Sequence, residues 1–335
     1  MPSPLLVTGG AGFIGSHTVQ HLLELGEKII VLGNLVYGHR DALDHDRVTL
    51  IEGGLNDADL LDRVFAEHQP EAVLHFAAFC YVGESVEQPL KYYRNNVAGP
   101  LTLLEAMARH SCSRFIFSST CATYGNPVTM PMDESHPQNP VNPYGASKLM
   151  LERILADCDT AFGLKSVFLR YFNASGCDPE GRIGEDHDPE THLIPRILMA
   201  IRGDIDAITV FGTDYPTPDG TCIRDYIHVE DLIDAHVLCM NALAPSKKFV
   251  FNLGIGKGYS VREIIAATER VTGKKIKVIE GLLRHGDPPR LFADPGRTKR
   301  DLGWSAKITR IDEIVDSAWK WFSRHPDGYA SHIVD

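Results

Sequence analysis

The sequence predicts an α/β protein: a doubly wound parallel sheet in the first half, followed by a smaller α/β domain. Three observations predict it. Short apolar runs alternate with helical patterns through the first half. A glycine-rich turn joins the first run to the first helix. Proline, glycine and aspartate become frequent after Asn173. Alternating β and α segments of this length imply parallel strands, helices on both faces and right-handed crossovers. With 335 residues the chain exceeds most single cores, so two domains are expected. The first spans 1–173. The second spans mainly 174–335, with some segments returning to the main sheet.

Strands are expected at Leu5–Thr8, Lys28–Leu32, Val48–Ile51, Ala72–Phe76, Arg114–Ser118 and Ser166–Tyr171. The helical patterns between them are Phe13–Leu25, Asp57–Glu67, Leu90–Arg109 and Tyr144–Ala161. Later, Asp178-Pro179-Glu180-Gly181 and Asp214-Tyr215-Pro216-Thr217-Pro218-Asp219-Gly220 carry turn chemistry. Helical patterns return at His192–Ile201, Val229–Met240, Ser260–Val271 and Arg310–Phe322.

Hydrophobic residues make up 44% and charged residues 23%, ordinary for a globular protein. The formal charge of -11 argues against a nucleic-acid partner. It also leaves any anionic ligand to a few placed arginines. No apolar run reaches about 18 residues, so no membrane span is expected. Met1-Pro2-Ser3-Pro4 runs straight into Leu5-Leu6-Val7, without the pattern of a signal peptide. The seven cysteines are scattered and odd in number, with no CxxC pair. Neither a metal site nor a disulfide framework is expected, and reduced thiols fit a cytoplasmic location.

Thr8-Gly9-Gly10-Ala11-Gly12-Phe13-Ile14-Gly15 follows the first strand and opens the first helix. Gly9 allows a tight turn, Gly12 lets backbone approach a pyrophosphate, and Gly15 lets helix and strand pack closely. The helix start, with Phe13 and Ile14, offers free N–H groups to phosphates. This is the signature of a Rossmann-type dinucleotide site. The acid that usually ends the second strand and binds the adenosine ribose is absent: Gly33 stands there, with Asn34 beside it. Gly54, just before Leu55, is a second place where a polar side chain is missing.

Tyr144-Gly145-Ala146-Ser147-Lys148 opens a helix, and residues four apart share a helix face. A nearby ammonium group, together with a cationic nicotinamide ring, favours the phenolate and makes Tyr144 a usable general base. Upstream, Ser118-Ser119-Thr120 ends an apolar strand, where ligands bind in such folds. The Thr120 hydroxyl can bond a reacting substrate oxygen and relay its proton to Tyr144.

These motifs resemble those of the extended short-chain dehydrogenase/reductases. The likeness to the UDP-glucose 4-epimerases among them covers nearly the whole chain. It includes Val7–Thr18, His75-Phe76-Ala77-Ala78, Val82-Gly83-Glu84-Ser85-Val86, Asn95-Asn96-Val97, Asn142–Met150, Leu169–Asn173, Pro189–Pro195 and, longest, Tyr215–Val229. The resemblance implies NAD held by Gly9, Gly12, Phe13, Ile14, Gly15, Asn34, Leu55, Phe76, Ala77, Ala78, Asn95, Ser118, Tyr144, Lys148 and Tyr171. It implies a UDP-sugar at Thr120, Tyr144, Asn173, His192, Leu193, Arg224, Arg284 and Asp287. Guanidinium groups suit a diphosphate, and Asp287 can accept the uridine ribose hydroxyls. The implied activity interconverts UDP-glucose and UDP-galactose at C4 through a transient 4-keto sugar.

The alternatives are another nucleotide-sugar epimerase, a 4,6-dehydratase and an NAD-sensing module without turnover. A dehydratase usually carries Asp-Glu after its catalytic Thr, where this chain has Cys121-Ala122. Sensing modules typically lose the Tyr-Lys pair. The helical patterns Leu90–Arg109 and Tyr144–Ala161 resemble the pair that forms a homodimer interface in this superfamily.

Overall fold

The computed structural model describes residues 3–243, 249–284 and 287–329. Met1 and Pro2, and positions 330–335 of the second expected domain, lie outside them. In chain order the first elements are β1 (Leu5–Thr8), α1 (Phe13–Glu24), β2 (Ile29–Gly33), β3 (Val48–Glu52), α2 (Ala58–His68) and β4 (Ala72–His75). Then come α3 (Val82–Glu87), α4 (Pro89–Tyr93), α5 (Gly99–Arg109), β5 (Arg114–Thr120), α6 (Pro143–Phe162) and β6 (Lys165–Tyr171). After these come β7 (Asn173–Ser175), α7 (Leu193–Arg202), β8 (Ile208–Phe211), β9 (Ile223–Arg224), β10 (Tyr226–His228), α8 (Val229–Ala242) and β11 (Phe249–Leu253). The last are β12 (Tyr259–Ser260), α9 (Val261–Thr272), β13 (Val278–Gly281), β14 (Arg290–Leu291), α10 (Gly296–Leu302) and α11 (Ile311–Arg324). No helix among the described residues is long and apolar enough to cross a membrane.

The main sheet has seven strands in the order β11-β6-β5-β4-β1-β2-β3. β3, β2, β1, β4 and β5 run parallel, so their carboxyl ends share one edge. The central strands β1, β2 and β4 are mostly apolar and buried because both faces are covered, whereas β3 at the sheet edge is only partly buried. Leu6, Ile30, Val73, Phe115 and Phe117 pack with Leu61, Phe65, Leu103 and Leu155 from the helices. Local chemistry sets the helix ends. Asp57 accepts from the Leu60 N–H at 2.9 Å to start α2, and Asn142 accepts from the Gly145 N–H at 2.8 Å to start α6. Pro143 sits in the first turn of α6 and left-handed Gly163 (φ 77°) ends it, as capping rules require.

The chain forms two compact units. One contains 1–125, 137–170 and 233–251; the other contains 126–136, 171–232 and 252–335. The sequence predicts a seam after Asn173, whereas the first unit is left at Arg170 and regained at Ile233. In the second unit β7 pairs with β10, β12 and β14 flank β9, and β13 pairs with β8. The one long helix expected over 90–109 is interrupted. A π-helical turn, Arg94–Ala98, separates α4 from α5. Such a turn inserts an extra residue and is common at functional sites.

Beneath the sheet edge lies a buried polar network of the first unit. The side chains of Glu152 and Arg170 are 4% and 5% exposed and meet at 2.6 Å. Glu152 also accepts from Ser119 Oγ at 2.6 Å and Gln138 Nε2 at 3.0 Å, and Arg170 donates to Tyr124 Oη at 3.0 Å. The network ties β5, α6 and β6 together. Removing one partner of such a pair strands a buried charge, which costs about 3–5 kcal/mol. Glu152→Ala is therefore expected to lower the unfolding free energy by about that much in a denaturant titration. A loss below about 1 kcal/mol would contradict this role.

Candidate functional site

The glycine turn is built as its spacing requires. Gly9 has φ +72°, and a Cβ on it would lie 2.6 Å from the Ala77 nitrogen. A Cβ on Gly15 would lie 2.2 Å from the Gly9 carbonyl oxygen. Side chains at either position would push α1 and the turn after β4 away from β1. Gly12 precedes the first residue of α1 and carries no capping side chain. The helix start with Phe13 and Ile14 is thus a cradle of backbone, of the kind that fits a pyrophosphate.

The other expected cofactor residues of the first unit fall at the same carboxyl edge. Asn34 follows β2, Leu55 follows β3, and Phe76, Ala77 and Ala78 follow β4. Asn95 lies in the π turn, where its side chain donates to Asn96 Oδ1 at 2.9 Å. Asn96 is the more deeply placed of the two, at 2% exposure. It accepts from the Phe79 N–H and donates to the Phe79 carbonyl, both at 2.9 Å, and reaches Ser147 Oγ at 3.2 Å. It clasps the loop after β4 to α6, a positioning role not read from sequence.

Lys148 is the electrostatic centre of this unit. It is 3% exposed, donates to the Ser118 carbonyl at 2.9 Å and stands 4.9 Å from the Phe117 ring centroid. Burial lowers its pKa from an ordinary 10.5 to about 8. His75, 1% exposed, is held down at about 3 by burial and then by the Lys148 charge. It is a neutral ring bonded to Thr8 Oγ1 at 2.7 Å. Half-buried Tyr144 lies one turn before Lys148 in α6. A Cβ on Gly145 would come 2.4 Å from the Ala122 carbonyl oxygen, so the start of α6 presses against the turn after β5. That turn is capped by Thr120, whose Oγ1 accepts from the Ala122 N–H at 3.2 Å. Thr120, Tyr144 and Lys148 are therefore brought to one edge of the first unit.

In the second unit, Tyr171 ends β6 and Asn173 opens β7, donating its N–H to the Asp225 carbonyl at 3.0 Å. Arg224 lies in β9, flanked by β12 and β14. It donates to Asp287 Oδ1 at 2.6 Å and to its neighbour Ile223's carbonyl at 2.8 Å. Arg284 is exposed and stacks its guanidinium 3.8 Å from the Phe211 ring centroid. Next to Arg224 is Asp225, fully buried and unforeseen from sequence. It accepts from the Ile255, Gly256 and Ala293 N–H groups, and burial nevertheless pushes it up to about 6. It braces β9 and β10 from within.

His192 immediately precedes α7, which begins at Leu193. Its Nδ1 lies 2.6 Å from Glu185 and 3.4 Å from Glu190. His187 joins the same carboxylates at 3.3 and 3.7 Å. Burial opposes a proton on His187, but the two carboxylates outweigh it and raise its pKa to about 10.

Residues 5–254 match the family model described as NAD dependent epimerase/dehydratase family. A UDP-glucose 4-epimerase of Halalkalibacterium halodurans is 50% identical, over 99% of each chain. The crystal structure of UDP-glucose 4-epimerase from Brucella ovis in complex with NAD is 49% identical, with a TM-score of 0.93 over 96% of this chain and 98% of that one. The Bifidobacterium longum enzyme, in complex with NAD+ and UDP, is 39% identical, with a TM-score of 0.93 over 97% of this chain and 100% of that one. Likeness of this extent in sequence and backbone places the chain in the NAD dependent epimerase/dehydratase family.

Proposed function

We propose that this protein interconverts UDP-glucose and UDP-galactose at C4 with NAD bound. The observation that carries the proposal is the placement of Tyr144 and Lys148 one helical turn apart, on a helix start pressed against the Thr120 turn. The family and the named activity of its half-identical relative agree with it.

Bound NAD would supply the redox chemistry, taking up and giving back a hydride at the sugar C4. The chain supplies the rest. Tyr144 takes the 4-hydroxyl proton and later gives it back, and the Lys148 ammonium favours its phenolate. Thr120 bonds the reacting oxygen. Arg224 and Arg284 hold the pyrophosphate, Asp287 and Asn173 the uridine side, and the segment at His192 and Leu193 lies against the nucleotide. Asp287 holds Arg224 at 2.6 Å, so the guanidinium is oriented before any substrate arrives. Asn34, Leu55, Phe76, Ala77, Ala78, Asn95, Ser118 and Tyr171 contact the cofactor.

Two further properties belong to the same proposal. Val86, Leu90, Leu101 and Met150 expose 63%, 67%, 42% and 43% of their surface on α3 to α6, which suits a homodimer interface. Reduced cysteines with no disulfide among the described residues suit the cytoplasm.

The test is conversion of UDP-galactose to UDP-glucose by the purified protein. Tyr144→Phe is expected to reduce kcat roughly 100-fold or more, with UDP-sugar binding preserved in a titration. A variant with more than about a tenth of wild-type kcat would remove Tyr144 from the base role.

The cofactor pocket yields a second expectation. A Cβ on Gly33 would meet nothing nearer than the Gly9 Cα at 4.0 Å, so an aspartate fits there. Arg40, the first lysine or arginine after Gly33, is paired with Glu52, the register partner of Gly33. Glu52 therefore competes with a 2′-phosphate for Arg40, though an exposed pair of this kind is worth only about 0–1 kcal/mol. Gly33→Asp should restore one hydrogen bond to the ribose, about 0.5–1.5 kcal/mol, tightening NAD several-fold and disfavouring NADP further. Titration of both cofactors into stripped wild type and variant measures this. Equal affinities would mean that the backbone and Asn34 suffice.

A further inference from the structure

Glu185, His187, Glu190 and His192 gather four donor atoms in one place. Each contributes one atom, and all four lie within 4.8 Å of one another. The separations are 2.6 Å for His192–Glu185, 3.3 Å for His187–Glu185, 3.4 Å for His192–Glu190 and 3.7 Å for His187–Glu190. Four ligands arranged tetrahedrally about zinc at about 2.0–2.1 Å would stand about 3.3 Å apart, in the middle of this range.

A second observation points the same way. The Glu185 and Glu190 side chains are 3% and 5% exposed. Glu185 Oε1, Glu190 Oε2 and His192 Nδ1 are sealed from solvent, yet none is in an aligned hydrogen bond. At 2.6 Å, an imidazole N–H aimed at a carboxylate would form a strong one. The failure is one of direction: the atoms are close together but not aligned on one another, as ligands that share an ion need not be. Such buried polar atoms call for an explanation. Glu190 is itself oriented through its other oxygen, which accepts from the His192 N–H at 2.7 Å, as the outer contacts of metal ligands commonly are.

We propose that Glu185, His187, Glu190 and His192 bind one zinc ion in a closed, four-ligand structural site that fastens the loop before α7. Two imidazole nitrogens with two carboxylates suit zinc, whereas calcium and magnesium take oxygen donors. With four protein ligands no coordination position is left for a reacting water, so the ion's task is to fix the loop leading into Leu193. The sequence signal is Glu-x-His-x-x-Glu-x-His over 185–192, a pattern that contains no cysteine.

The test uses the full chain, purified without a histidine tag from zinc-supplemented medium and gel-filtered in chelator-free buffer. Metal analysis by mass spectrometry is expected to find about one zinc per chain, against less than about a tenth in Glu185→Gln and in His187→Gln. Wild type stripped with a strong chelator should regain its melting temperature on addition of zinc. With Co(II) it should show the intense visible absorption of a four-coordinate site. Because the variants could fail to fold, wild-type stoichiometry and the cobalt spectrum decide by themselves. Wild type that carries no zinc, or a six-coordinate cobalt spectrum, overturns the proposal. So do folded variants that retain as much zinc as wild type.

Discussion

A lysine ammonium sealed at the carboxyl edge of a parallel sheet is the constraint on which the first unit depends. Lys148 is 3% exposed and its pKa is lowered from 10.5 to about 8, a burden of about 3 kcal/mol. Because the folded form binds the proton less tightly, that burden is full below about pH 8 and eases between about 8 and 10.5. Its surroundings are arranged to keep the charge in place. The Ser118 carbonyl accepts from it and the Phe117 ring lies beside it. Glu152, one turn further along α6, favours its charged form, and Arg170 in turn anchors Glu152. Tyr144, Lys148 and Glu152 thus form a single stripe along one helix face. It runs from the half-buried phenol, through the buried ammonium, to the buried carboxylate.

The second unit meets a similar demand with different groups. To hold the proposed diphosphate it has to present positive charge in a chain of net charge -11, and its arginines are individually held. Arg224 is fixed by Asp287 and carried on a short strand paired on both sides, which Asp225 braces from beneath. Arg284 leans on an aromatic ring. The segment before α7 is gathered by two carboxylates and two imidazoles. Acids orient two of these groups, Asp287 for Arg224 and the buried Glu185 and Glu190 for the segment before α7, whereas a ring orients Arg284. The same division appears in the first unit, where Glu152 and Asn96 act through their neighbours and not on substrate.

What could be read from the sequence were the features whose partners are close in the chain. The turn Gly9 to Gly15 and the pair Tyr144 and Lys148 have meaning in their spacing alone, because a strand-turn-helix and one helical turn are local. The six apolar runs were legible because a sheet covered on both faces demands unbroken apolar strands. The features that escaped depend on distant contacts. Glu152 and Arg170 are 18 residues apart, and neither has a local partner that would betray burial. Asn96 acquires its role only when the helix expected over 90–109 opens into a π turn, and its partners Phe79 and Ser147 lie 17 and 51 residues away. Nothing local marks Asp225 as buried, because its three N–H donors come from residues 255, 256 and 293.

The central claim is that a charged Lys148 sustains the Tyr144 phenolate. The direct measurement is the pH dependence of kcat for UDP-galactose conversion, with each sample returned to neutral pH to show that activity recovers. Lys148 should lose its proton, and with it the support for the phenolate, as pH rises through about 8. The account predicts an alkaline limb of the rate profile near that value. A kcat that stays level to about pH 10, where an ordinary lysine titrates, would contradict it.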